Sequence, residues 1–481
     1  MSVFTLAHLA RLHNSLAAAR AVGSRSGKLA VVAALVLFTR ESALAQAPAW
    51  RWVAQSKESG AAVVQQVVAD AAGNGYITGQ FSKQIHFGAL ALQSLGSSDV
   101  FIAKVGADGR WLWALAAGGA EADKAGGLVV DGAGTVTVAG SFTGTAHFGN
   151  FTQQSQGGQD GFVAVISASG EWRTVTTAGG NDQDQITALT LDAQQNVFVG
   201  GRFRGQATFG PSTLRSTADA DAFVAKIDAY GQWQWARQTY GTEQTILTSL
   251  SVDGEGELYA AGYFAGNTRF GTTRLTSAGT HDAFVAKMGS TGTWQWATSG
   301  GGTSTDYVKG LAVSAEGNVF ITGSFSGQAT FGPTALASQG SDDAYVAQLD
   351  ARGKWQWVAP IAGSALEDGT AICLGSGGSI FVAGRFSQGA RYGATTLTSQ
   401  GRTDAFVAQL SQTGQWLGFL TAGSTAPDEL TAIGTGPHGE VYVGGIVGAA
   451  TRFGALPAGA TAPQVFIGRV AFPAYVAAGH Q

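Results

Sequence analysis

Short apolar runs, bounded by turns bearing glycine or acidic residues, recur along almost the whole chain. In one stretch they are Trp294–Ala297, Val308–Val313, Val319–Phe325 and Ala344–Leu349. Between them lie Gly300-Gly301-Gly302, the turn Glu316-Gly317-Asn318, an insert over Ser326–Gly340 and, at the end, the turn Ala351-Arg352-Gly353. Such runs are rich in Val, Ile, Phe, Tyr and Trp. They are too short and too punctuated for helices, and they read as strands.

The pattern returns every 61 residues. Trp50-Arg51-Trp52 reappears as Trp111-Leu112-Trp113, Trp233-Gln234-Trp235, Trp294-Gln295-Trp296 and Trp355-Gln356-Trp357, with reduced copies at Trp172 and Trp416. Gly79, Gly140, Gly201, Gly262, Gly323, Gly384 and Gly445 hold one mid-strand position. A glycine there weakens a strand unless another backbone or ring packs closely against it. Four strands per period predict an all-β fold, a seven-bladed β-propeller of seven 61-residue four-stranded repeats. Within a repeat the strands are A (such as Leu311–Val313), B (Val319–Phe325), C (Ala344–Leu349) and D, the Trp strand. The last A-B-C set has no D strand after it, so Trp50–Ala54 is expected to pair with Val465–Val470 and close the ring. Residues i and i+2 face one side of a strand, so both tryptophans of a pair should share a surface. Their strict spacing assigns Trp50, Trp111, Trp172, Trp233, Trp294, Trp355 and Trp416 to blade packing.

The N-terminus departs from this pattern. Arg20, Arg25 and Lys28 precede an apolar run, Leu29–Phe38, and Ala43-Leu44-Ala45 follows as a small-x-small cleavage site. That order predicts a signal peptide over 1–45, a single propeller domain over 46–481, and an extracytoplasmic protein. The run is half the roughly 20 residues a membrane-spanning helix needs, so no membrane span is expected. Residues 1–45 carry five positive side chains and one negative, which moves the net charge from −4 to −8 once they are removed. That charge gives no footprint for nucleic acid. Cys373 is the only cysteine, which excludes an intrachain disulfide or a thiolate metal centre.

The segments Gly317-Asn318-Val319-Phe320-Ile321-Thr322-Gly323 and Asp282-Ala283-Phe284-Val285-Ala286-Lys287 resemble the bacterial SBBP repeat family of secreted and surface proteins. The resemblance runs over about 50–472 and implies a propeller scaffold, usually without known catalysis. The last unit departs from it, with Gln464-Val465-Phe466 where Asp-Ala-Phe is expected.

Three sets of residues are candidates for chemistry. Asp99, Asp160, Asp221, Asp282, Asp343 and Asp404 precede strand C. Their repetition favours a structural role, accepting backbone N–H bonds in the preceding turn, over a ring of cation ligands. Asp123, Asp184, Asp306, Glu367 and Asp428 precede strand A and are expected to form an acidic collar at one channel mouth. His86, His147, Arg269, Arg391 and Arg452 share one insert position and would form an outer, partly basic ring on the same face. No zinc-protease, nucleophile-elbow, P-loop or EF-hand pattern occurs. No cofactor is therefore expected; a propeller-loop calcium ion is compatible with these residues but signalled by none of them. The leading expectation is a monomeric, exported, non-enzymatic scaffold whose channel mouth binds a surface protein or glycan polymer. The alternatives are a polysaccharide hydrolase or lyase working through the collar carboxylates, and a purely structural surface protein.

Overall fold

The computed structural model describes residues 47–456 and 463–473; the expected signal segment lies outside them. The described chain is all-β apart from one 3-10 turn at Ser376–Gly378. Among the described residues no helix is long and apolar enough to cross a membrane. The repeating element is a four-stranded antiparallel sheet of the β-propeller kind. One copy runs Asp306–Val313, Val319–Phe325, Asp343–Leu349, Trp355–Gly363, each strand paired to the next. The insert forms a hairpin, here Gln328–Phe331 with Thr334–Ala337. Its first strand pairs with the end of the preceding sheet's outer strand, Gly301 opposite Thr330. Each hairpin thus straps one sheet to its neighbour.

The last sheet is discontinuous in sequence. Glu429–Thr435, Val441–Val447 and Gln464–Ala471 are followed in space by Ala49–Gln55. Ala54 lies opposite Ile467, and Trp50 opposite Val470. The Trp50 ring packs 4.9 Å from Phe453. The same contact joins Trp111 to Phe87 (4.7 Å) and Trp294 to Phe270 (5.1 Å) within their own repeat units. The N-terminal strand therefore makes the contacts that outer strands make elsewhere.

Every Trp-x-Trp strand carries a β-bulge between its two tryptophans, as where Val105 meets Trp111 and Lys104 meets Trp113. The extra residue breaks the period of two, so the expectation that both rings share one surface fails. Trp355 joins the core cluster containing Phe331, and Trp357 joins the next one, with Phe320. Trp50 and Trp52 divide between neighbouring clusters in the same way. One dipeptide step thus packs two successive hydrophobic cores.

The inner strands carry a second bulge. Val308 is opposite Gly323 and Gly310 opposite Thr322, leaving Lys309 unpaired. Bulging drives the Tyr307 carbonyl onto Gly323, where an added Cβ would sit 1.9 Å from that oxygen. At Gly79, Gly140, Gly201, Gly262, Gly384 and Gly445 the corresponding distance is 1.8–2.2 Å. The invariant glycine exists for that close approach. The residues at the bulges line a cavity of about 160 Å³ between the inner strands. There Thr187, Thr248 and Thr370 donate to the carbonyls of Leu247, Val308 and Leu430 on the following strand. Thr431 of the last inner strand donates to Val64 O of the first at 2.7 Å.

Trp50 is 7% exposed, and its truncation removes an aromatic core anchor. Trp50→Ala should destabilise the chain by about 3–5 kcal/mol in chemical denaturation. Deleting residues 47–55 should lower the midpoint at least as far, because it strips the last sheet of its outer strand. An unchanged midpoint in the deletion would show that this strand is dispensable.

Candidate functional site

The collar carboxylates do not face solvent. Asp123, Asp184, Asp306, Glu367 and Asp428 are all at most 1% exposed. They sit where one sheet's outer strand gives way to the next inner strand, and most lie beside the acid that opens the preceding sheet's third strand. An added Cβ on Gly118 would meet Asp123 Oδ2 at 2.5 Å and Asp99 Cγ at 2.7 Å. On Gly301 it would meet Asp282 Cγ at 2.8 Å and Asp306 Oδ2 at 2.9 Å. These glycines leave room for two carboxyl groups side by side.

Backbone N–H groups hold most of these acids. Asp99, Asp160, Asp221, Asp282, Asp343 and Asp404 each accept a bond from the N–H four residues earlier, at 2.7–3.0 Å. Asp123 accepts from Gly119 N and Thr143 N, and Asp306 from Gly302 N. Asp428 accepts from Gly448 N, Ser424 Oγ and Thr451 Oγ1. Several oxygens have no partner: Asp160 Oδ1, both oxygens of Asp184, Asp343 Oδ1 and both oxygens of Glu367. Burial raises the pKa of Asp123, Asp184 and Asp306 to about 7 and that of Glu367 to about 8, with the neighbouring carboxylate adding to it. Two buried acids side by side with vacant oxygens satisfy each other when one is protonated. Among the described residues no group of three or more His, Cys, Asp or Glu side chains could hold a metal ion.

Neither does the outer ring converge. His147, Arg269, Arg391 and Arg452 are exposed and His86 half-buried, each on a separate insert hairpin. His147 Nδ1 contacts Thr152 Oγ1 at 3.1 Å, and Arg269 lies over the Tyr240 ring at 5.1 Å.

Polar and aromatic side chains stand one residue further along five of the seven inner strands. Where the acid points into the sheet junction, its neighbour points to the other side of the strand, because side chains alternate. The successive neighbours are Val63, Lys124, Gln185, Ile246, Tyr307, Asp368 and Glu429. Lys309, at a bulge where four other strands carry a strapping threonine, reaches Asp368 with both Oδ atoms at 2.7 Å. Arg385 bridges Asp368 Oδ2 (3.4 Å) and Glu429 Oε2 (2.6 Å). The Lys309 and Arg385 side chains stay 35% and 34% exposed, while Asp368 is 3% exposed and anchors both. Next to this network Tyr263, His281 and Tyr307 form an aromatic cluster, the tyrosine rings 4.7 Å apart and His281 at 5.3 and 5.8 Å from them. Burial lowers the His281 pKa. Arg202 Nε donates to Gln185 Oε1 at 3.0 Å. Cations, acids and aromatic faces thus meet at one end of neighbouring inner strands, an arrangement suited to binding a polar ligand of mixed character. Sequence reasoning passed over these positions because it followed the residues that repeat. The available signal was the lack of repetition beside an almost invariant acid.

No family model matches the chain. Over 313 residues it is 25% identical to the regulatory protein FlaEY of Caulobacter vibrioides, covering 59% of this chain and 32% of that protein. Over 181 residues it is 23% identical to an uncharacterized WD repeat-containing protein of Acanthamoeba polyphaga mimivirus, covering 31% of this chain and 13% of that protein. The chain therefore spans a third or less of these relatives' length. Among solved structures, a luciferin-regenerating enzyme is similar with a TM-score of 0.34 at 10% identity, covering 88% of this chain and 95% of the other.

A buried acid with a raised pKa holds its proton more tightly folded than unfolded. Its contribution is complete below the ordinary carboxylate range and is lost as pH rises through about 7 to 8. The groups acting on Asp184 are Asp160 and Asp182, and Asp343 acts on Glu367. Thermal melts in chelator should show the midpoint falling from about pH 5 to about pH 8.5. Asp184→Asn and Glu367→Gln, which mimic the protonated acid, should flatten that decline. Parallel declines in wild type and variants would assign the effect to other groups.

Proposed function

We propose that the chain is an exported, non-enzymatic, seven-bladed β-propeller whose insert-side channel mouth binds a surface protein or an extracellular glycan. Seven blades are supported by the repeat count, and a closed ring by the pairing of Ala49–Gln55 with Gln464–Ala471 and the Thr431 bond to Val64 O. Export rests on the basic, apolar and small-residue order of the first 45 residues. The resemblance to SBBP repeats fits the same reading.

One observation carries the binding role. The position beside the buried acid differs in every unit, although the acid itself recurs at five of the seven corresponding positions. A scaffold needs the same packing in each blade; a ligand contacts each blade from a different side and selects a different residue. Tyr263, Tyr307, Lys309 and Arg385 supply stacking faces and exposed cations there, with Asp368 fixing both cations. The burial of all five collar acids, and the N–H bonds to Asp123, Asp306 and Asp428, count against a hydrolase working through them.

A glycan and protein binding screen on the full chain tests this proposal. Tyr307→Ala and Arg385→Ala should each weaken any ligand found by about tenfold or more, the effect of losing about 1.4 kcal/mol of contact, with melting little changed. Binding unaffected by either variant would move the site elsewhere, and no binding to any member of the screen would sink the reading.

A further inference from the structure

The second tryptophan of each pair has a fixed seat. Trp52, Trp113, Trp235, Trp296 and Trp357 lie over the turn glycine of the following unit, as Trp113 over Gly170 and Trp296 over Gly353. In four of them the indole N–H donates to a carbonyl 55 residues on, such as Ala168 O and Ala351 O, both at 3.2 Å, and Gln412 O at 2.9 Å. An aromatic ring from the B strand of its own sheet closes the seat, as Tyr76 does at 6.0 Å from Trp113 and Tyr259 at 6.1 Å from Trp296. Every part of this seat is therefore defined by register.

Two units lack the second tryptophan. In one, Gly418 stands in its place and the space is filled. An added Cβ would lie 3.3 Å from Pro48 and 3.7 Å from Phe472, and the Phe472 ring sits 5.2 Å from Phe381. In the other, Thr174 replaces the tryptophan and Thr137 replaces the partner aromatic, 61 residues after Tyr76. Among the described residues no side chain takes the place of the ring. A cavity of about 190 Å³ opens between this sheet and the next. Val163, Val165, Val197 and Ile227 line its apolar side; Thr137, Thr174 and Gln195 are among its polar lining, and Asp131 and Asp228 stand in the turns at its edge. Gly231 occupies the turn-glycine position and Ala229 the carbonyl position, 55 residues after Thr174, and both line the cavity. A Cβ added to Gly231 would meet only Thr176 Oγ1, at 3.7 Å, where the other turn glycines meet an indole.

We propose that this slot binds a planar, N–H-bearing aromatic small molecule of the indole class. The ring would be sandwiched as the second tryptophan is elsewhere, its N–H directed at Ala229 O. Size permits it, since an apolar protein cavity of about 150 Å³ binds benzene. Chemistry favours it, because four β-branched apolar side chains line one side and Ala229 stands at the position whose carbonyl accepts an indole N–H in the other seats. The slot lies at the strand ends opposite the channel mouth, so it does not rest on the binding role proposed there.

Free indole is the probe, titrated into the full chain by calorimetry and by methyl NMR of the valine and isoleucine residues. A single site should appear, with shifts at Val163, Val165, Val197 and Ile227. Thr174→Trp should abolish binding by supplying the missing ring and should raise the melting midpoint. Should that variant fail to fold, Thr137→Phe, which occupies part of the slot, should weaken indole by about tenfold or more. Trp113→Ala should create a second, equivalent site and double the stoichiometry. The proposal is overturned if wild type ignores indole while Trp113→Ala binds it, or if Thr174→Trp binds as wild type does. It is also overturned if N-acetyltryptophanamide binds about tenfold or more tighter than indole, since the slot would then read a polypeptide side chain.

Discussion

A carbonyl oxygen pressed against a glycine governs this structure. At each inner strand the bulge brings a backbone oxygen within about 2 Å of where a side chain would begin on the second strand, so only glycine fits. The bulge then decides what the centre of the molecule looks like. It frees one residue per strand to face the cavity, where threonines tie consecutive inner strands together through side chain–backbone bonds. It also turns the residue ahead of it toward the mouth. Where the strap is replaced by Lys309, the freed side chain reaches the neighbouring sheet's Asp368 and becomes part of a charged network.

The outer strands use the same device for another purpose. Without a bulge between its tryptophans, each pair would load both rings onto one side of a sheet and leave the adjacent core short of an aromatic. With it, the first ring stays with the phenylalanine or tyrosine of its own hairpin and the second reaches the next unit's turn. Neighbouring sheets are then joined by hydrophobic burial at one end of the strands and by hairpin pairing at the other. Paired carboxyl groups occupy the hairpin end. Several accept backbone N–H bonds, and burial raises their pKa and so favours the protonated form.

Most of the fold was legible because repetition multiplies weak local signals. Glycine at a 61-residue spacing announced a close backbone approach, and the surplus Trp50 strand announced where it was needed. What escaped was orientation. Reading Trp-x-Trp as a regular strand put both rings on one side, since nothing in a tripeptide reveals a bulge. The same limit affected the charged positions. Asp123, Asp184 and Asp306 stand at the right end of the right strands, yet they face a sheet junction, while Lys124, Gln185 and Tyr307 face outward. One residue of register separates a structural acid from a surface one.

Departures from the repeat therefore carry more information about binding than the repeat itself. Every unit experiences the same packing demand, so a position that varies freely is one that packing leaves free. The mouth residues are of this kind. Thr137 and Thr174 are of a stronger kind, because packing does make a demand there and the described residues do not meet it. Filling that seat with an indole would bury roughly 150–250 Å², worth up to about 4–6 kcal/mol. Elsewhere the chain recovers a lost tryptophan with Phe472, brought in from beyond the last strand. Leaving one seat open, with the carbonyl and the turn glycine of an indole site still in place, is a costly arrangement unless something other than the chain occupies it.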